Sequence, residues 1–109
     1  MMVHVPMILS EHEKQRIKTE IADRLRAEPE VRKVVVFGSF LTSGEPRDLD
    51  VAVFQDSDET YLPLALKYRR LLRRVGGRMA LDVFPLRAAA PGGRFVREEI
   101  LRGEVVYER

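Results

Sequence analysis

Val34-Val35-Val36-Phe37-Gly38-Ser39, followed after eight residues by Asp48-Leu49-Asp50-Val51-Ala52-Val53-Phe54, is the stretch that decides the fold. The first run is β-branched and aromatic and stops at a glycine, the pattern of a buried strand. Ser43-Gly44-Glu45-Pro46 then signals a turn. The second run alternates, so Leu49, Val51 and Val53 fall on one strand face and Asp48, Asp50 and Ala52 on the other. About ten residues join the two strands, too few for a usual parallel crossover. They are therefore expected to be antiparallel neighbours, which brings Gly38-Ser39 and the two aspartates to the same end of a sheet.

Outward from this pair, the remaining elements alternate in type. Ser10 with Glu13 forms a capping box, and Ile17, Ile21 and Leu25 behind it recur as one apolar stripe, predicting a helix over residues 10–28 that Pro29 closes. Residues 55–60 are polar and acidic, a loop. Leu64, Tyr68, Leu71, Leu72 and Val75 mark a second amphipathic helix that stops at Gly76-Gly77. Met79 to Phe84 reads as a third strand closed by Pro85. Residues 88–93 read as loop. Phe95, Val96, Ile100 and Leu101 predict a short last helix capped by Gly103, with Val105 to Tyr107 a candidate final strand. The order α-β-β-α-β-α, with that short strand after it, predicts an α+β domain spanning residues 1–109 in which helices flank a mixed β-sheet.

Composition narrows the function classes. The chain has 109 residues and no cysteine, which excludes a disulfide scaffold, a thiolate zinc site and a cysteine nucleophile. No apolar run approaches the ~18 residues of a membrane helix, and residues 1–9 lack a basic segment of signal-peptide type. A cytoplasmic location and no membrane partner are the expectations. Nineteen basic against seventeen acidic residues leave a formal charge of +2, which names no partner. The distribution is more uneven: Lys67, Arg69, Arg70, Arg73, Arg74 and Arg78 lie in a stretch without carboxylates. That block reads either as a solvated helix face or as a surface for phosphates, nucleic acid or an acidic protein. Only Tyr61 and Tyr68 accompany it, and Tyr68 lies on the apolar stripe, so base stacking is weakly supported and nucleic acid is not the expected partner. His4 and His12 are read as surface residues.

Asp82 stands in the middle of the third apolar run. A buried carboxylate without a partner is costly, so a partner is expected. A metal ion held also by Asp48 and Asp50 would be one. Oxygen-only ligation by three carboxylates suits Mg²⁺ or Mn²⁺, and such ions can clamp an in-line displacement at a nucleotide α-phosphate. Gly38-Ser39 would let the backbone and a hydroxyl approach phosphates closely. Singly, each piece also has a plainer reading: Asp48 and Asp50 as solvated strand-end residues, Asp82 paired with an arginine, Gly-Ser as a turn.

The ordered combination resembles the minimal nucleotidyltransferases, the small stand-alone branch of the DNA-polymerase-β-like superfamily. The carriers are the strand Val34 to Phe37, Gly38-Ser39-Phe40, Asp48-Leu49-Asp50 and Leu81-Asp82-Val83, and the likeness runs over nearly the whole chain. It implies the nucleotidyltransferase fold. It also implies that Gly38 and Ser39 hold the β- and γ-phosphates of a nucleoside triphosphate. Asp48 and Asp50 would ligate Mg²⁺ or Mn²⁺, and Asp82 would join the metal that activates the acceptor hydroxyl, which makes the three acids the catalytic set. The implied reaction is transfer of AMP from ATP with release of pyrophosphate. Many such proteins are antitoxins encoded beside a small helical HEPN-type protein, and some modify a tyrosine on that partner.

Two departures stand out. Eight residues, Phe40 to Arg47, separate Ser39 from Asp48, fewer than the family's usual spacer. Arg47 precedes the first aspartate where a serine is common; it would contact the triphosphate or pair with Glu45. An alternative reading follows from the short spacer: a catalytically weak nucleotide-binding module that neutralises a helical partner by complex formation. The chain's free surface also allows a homo-oligomer.

Overall fold

A computed structural model describes residues 8–77, 79–89, 92–94 and 96–109. His4, Arg78 and Phe95, singled out above, lie outside the described residues. The elements are α1 (Glu11–Leu25), β1 (Val31–Phe37), α2 (Ser39–Thr42), β2 (Asp48–Gln55), α3 (Tyr61–Leu72), β3 (Ala80–Arg87), a π-helical turn (Val96–Ile100) and β4 (Glu104–Glu108). The strands form one mixed sheet in the order β3-β2-β1-β4. β1 is antiparallel to both β2 and β4, while β2 and β3 run parallel with α3 as their crossover.

The predicted alternation in β2 holds and divides the molecule into two unequal cores. Leu49, Val51 and Val53 join Val34, Val36 and Val83 on one face, against Ile17, Ile21 and Leu25 of α1 and Leu64, Tyr68 and Leu72 of α3. Ala52 and Phe54 face the other way with Val35 and Phe37, where Val96 and Ile100 of the π-helical turn cover them. Each fully buried aliphatic side chain contributes roughly 1.5–3 kcal/mol, so the helical face carries most of the fold's stability.

Both long helices lie where their stripes put them, except that α3 ends at Leu72 and residues 73–77 form turns, short of the expected stop at Gly76-Gly77. Ser10 caps α1, its Oγ accepting from the Glu13 amide at 3.1 Å. The helix closes at Leu25, a few residues before the expected end, because residues 26–30 form tight turns into β1, with the Val31 amide donating to the Glu28 carbonyl.

Four expectations are corrected. β3 runs through Pro85 to Arg87 instead of stopping at Phe84; β3 is an edge strand, and an imide nitrogen can face outward there without breaking the ladder. The last helix is a single π-helical turn, closed by the Leu101 amide on the Val96 carbonyl at 2.9 Å, and Leu101 is exposed. It is short because the chain must return at once to pair β4 with β1. The connection after β1, with no helix expected in it, contains a helical turn, α2. Gly103 serves packing more than capping: a Cβ there would lie 2.5 Å from the Val36 carbonyl oxygen and 2.8 Å from the Phe37 Cβ.

Candidate active site

The predicted site residues gather at one end of the sheet, on the face away from α1 and α3. β1 ends there, and β2 and β3 begin there. In the cross-strand register Phe37 lies opposite Asp50, and Asp50 lies beside Asp82. Asp48, Asp50 and Asp82 share strand parity with Ala52, Phe54 and Phe84, so all three carboxylates belong to the face covered only by the small second core. The Phe37 and Phe84 rings, with centroids 5.6 Å apart, floor this end of the face.

Gly38 is fixed by its neighbour. Its φ of +79° is one that residues with a Cβ rarely adopt, and a Cβ built there would lie 2.5 Å from Asp50 Oδ2. The glycine therefore lets the turn after β1 pass directly over the Asp50 carboxylate. Ser39 follows, exposed, opening the α2 turn in which the Ser43 amide donates to the Ser39 carbonyl at 2.8 Å. Among the described residues the Ser39 hydroxyl makes no hydrogen bond and Arg47 no ion pair; the pairing of Arg47 with Glu45 does not form. Both side chains are at the surface, free to meet a ligand.

Electrostatics identifies Asp50 as the centre of the acidic group. Burial pushes its carboxyl up to about 6, aided by the charges of Asp82 and Asp48 and by a hydrogen bond with Asp82. Asp82 itself is exposed, which corrects the expectation of a buried strand-centre acid: β3 is the sheet edge and no element covers it at this end. The group forced to find a partner is Asp50, and its nearest partner is another acid. Among the described residues no three His, Cys, Asp or Glu side chains are drawn together around a single point that could hold an ion. Three neighbouring carboxylates that no arginine or lysine among the described residues pairs with are nonetheless a donor set that suits a hard divalent cation, which would relieve the repulsion that raises Asp50.

One residue beside the site was not found from sequence. Lys14 is 4 % exposed, and its Nζ donates to the Ser43 carbonyl at 2.7 Å while standing 5.8 Å from the Phe40 ring centroid. It ties α1 to the end of the α2 turn that begins at Ser39. The signal was legible: Lys14 sits three residues before Ile17, on the apolar stripe, where a lysine must either snorkel or find a buried acceptor. A second network, Tyr68 Oη and Lys67 Nζ both donating to Glu30 Oε2 at 2.9 Å, lies on the opposite face of the sheet from the acids. Burial raises the Glu30 carboxyl, but these hydrogen bonds and the Lys67 charge outweigh it and leave the group below its ordinary value.

Comparison with known proteins agrees with the geometry. A search of curated proteins found no match. The sequence model of the family described as polymerase beta, nucleotidyltransferase matches residues 19–109, from the middle of α1 to the last residue of the chain. The matched span contains Gly38-Ser39, Asp48, Asp50 and Asp82, and the chain belongs to the polymerase-β-type nucleotidyltransferase family.

Proposed function

We propose that this protein is a metal-dependent minimal nucleotidyltransferase that moves AMP from ATP to a hydroxyl group, on a protein partner or a small molecule. The observation that carries the reading is the register of Asp50, opposite the residue before Gly38-Ser39 and beside Asp82, three strands meeting at one open edge. Asp48 and Asp50, with Asp82, would hold Mg²⁺ or Mn²⁺, which when bound neutralises phosphate charge and lowers the acceptor hydroxyl's pKa. Gly38 keeps the turn low over Asp50 so that backbone amides and the Ser39 hydroxyl can receive the β- and γ-phosphates. Arg47, exposed and unpaired, supplies a positive charge to the same triphosphate. The acceptor oxygen forms a bond to the α-phosphorus as the bond to pyrophosphate breaks, and the acceptor's proton leaves toward the Asp82 side. Asp82 is open to solvent, so an acceptor as large as a protein tyrosine can reach it.

The acceptor we favour is a tyrosine of a small helical HEPN-type protein, with this chain as its antitoxin. Purified protein incubated with α-labelled ATP and Mg²⁺ or Mn²⁺ should label that partner and release pyrophosphate. Asp48→Asn with Asp50→Asn should remove the label while leaving the circular dichroism unchanged; persistence of the label in that variant would place the site elsewhere. A second reading has its own support: the three acids are not gathered around one point, and the spacer is short. A neutralising module of that kind would keep masking its partner after both Asn substitutions, with no transfer from the parent chain.

A further inference from the structure

Among the described residues the exposed face of α3 has no partner, and its chemistry is graded from one end to the other. Asp58 and Glu59, both exposed, precede the helix. Leu62 and Leu66 follow, 64 % and 54 % exposed, one helical turn apart. Arg69, Arg70 and Arg73 end the face, exposed and outside every ion pair found among the described residues. Lys67, by contrast, is already held by Glu30 and Glu28. Beside Leu66 the three arginines and Leu81 line an open cleft of about 360 Å³.

Acids in the loop that leads into α3, then two exposed leucines and then arginines along the helix, make an order that is complementary to itself when reversed. We propose that two copies of this chain associate through α3, antiparallel, about a two-fold axis crossing the helix at the level of residue 64. Leu62 of one copy then meets Leu66 of the other and enters the cleft beside it, while the loop that carries Asp58 and Glu59 comes to the Arg69 and Arg70 end of the partner helix, each contact made twice. The arrangement covers two exposed leucines and gives the unpaired arginines carboxylate partners, an apolar centre with a charged rim. An RNA-binding use of the same arginines is disfavoured because Tyr68 is fully buried, leaving Tyr61 as the exposed aromatic residue of α3. The face lies across the sheet from Asp50 and Asp82, so the inference is independent of the proposed reaction and both acidic sites stay open in the pair.

The test is the mass of the purified protein by light scattering and sedimentation at about 100 µM chain in low salt, where charge pairs are least screened. A dimer is expected. Asp58→Arg and Arg70→Asp should each weaken it at least about tenfold, because each reversal acts twice across the axis, and the double exchange should restore it to within about threefold. Leu62→Glu should give a monomer that keeps the parent's circular dichroism, showing that the fold is intact. A monomeric parent, a dimer indifferent to these changes, a double exchange that fails to restore association, or a parent that binds only RNA oligonucleotides or an acidic protein of another kind would each overturn the proposal.

Discussion

The two faces of the sheet are built on opposite principles. The face under α1 and α3 is dry and continuous, with Ile21, Leu25, Leu49, Leu64, Tyr68 and Leu72 at 1 % exposure or less. The other is covered by the five-residue π-helical turn and left open where β1 ends and β2 and β3 begin. Stability is concentrated on the first face and the acids of the proposed site on the second. A small domain can therefore hold an unfavourable acidic group, Asp50 among like charges, because the packing that pays for it is on the far side of the strands.

The sharpest way to break the comparison is at the acids. Asp48→Asn with Asp50→Asn should lower nucleotidyl transfer by at least about a thousandfold, an effect of a lost charge-stabilising set, with no loss of stability in urea titration. Ile21→Ala should do the reverse: a cavity under the helical face costs about 2–5 kcal/mol of stability, read as a shifted urea midpoint, while any folded fraction keeps its transfer rate per folded molecule.

Gly38→Ala joins the two regions. The positive φ and the contact with Asp50 should cost about 1–2 kcal/mol and displace the carboxylate, so transfer should fall more than the melting temperature. Equal activity in Gly38→Ala would mean that the close approach of this turn to Asp50 is not used.

The smallest expected effect is on pH dependence. The Asp50 carboxyl is raised to about 6 in the fold against an ordinary 3.8. Below the unfolded value both states hold the proton and the group costs nothing. As pH rises the unfolded chain loses its proton first, so stability falls through this window and levels above the folded value. Asp50→Asn should therefore stabilise the metal-free protein at neutral pH by on the order of 1 kcal/mol, allowing for solvent screening, and the gain should vanish near pH 4. A gain that persists undiminished in acid would assign it to something other than the ionised carboxylate. Added Mg²⁺ should shrink the same gain at neutral pH, since the cation removes the repulsion only in the parent.

How legible this was varies with the range of the interaction. The Gly-Ser turn and the Asp-x-Asp strand are separated by ten residues or fewer, and the two-residue period of β2 sorted its side chains correctly between the faces. Asp82 was placed in the right strand and on the right end, yet its exposure depended on β3 being an edge strand, which strand order alone decides. Lys14 is distant in sequence from the Ser43 carbonyl it reaches. The stripe announced that Lys14 was on the buried side, but not what it would meet.

What the sequence determined by itself is the set of elements with strong local periodicity, the antiparallel pairing forced by a short connection, and the acids and the glycine on which the proposed site is built. Those follow from side-chain period, turn chemistry and the reach of a short chain. Only the tertiary structure decided that β3 continues through Pro85, that the last helix shrinks to a π-helical turn, and that Asp50 rather than Asp82 is the acid under strain. Each depends on which strands are at the edge and on what covers each face, and those are properties of the assembled sheet that no local stretch of chain contains.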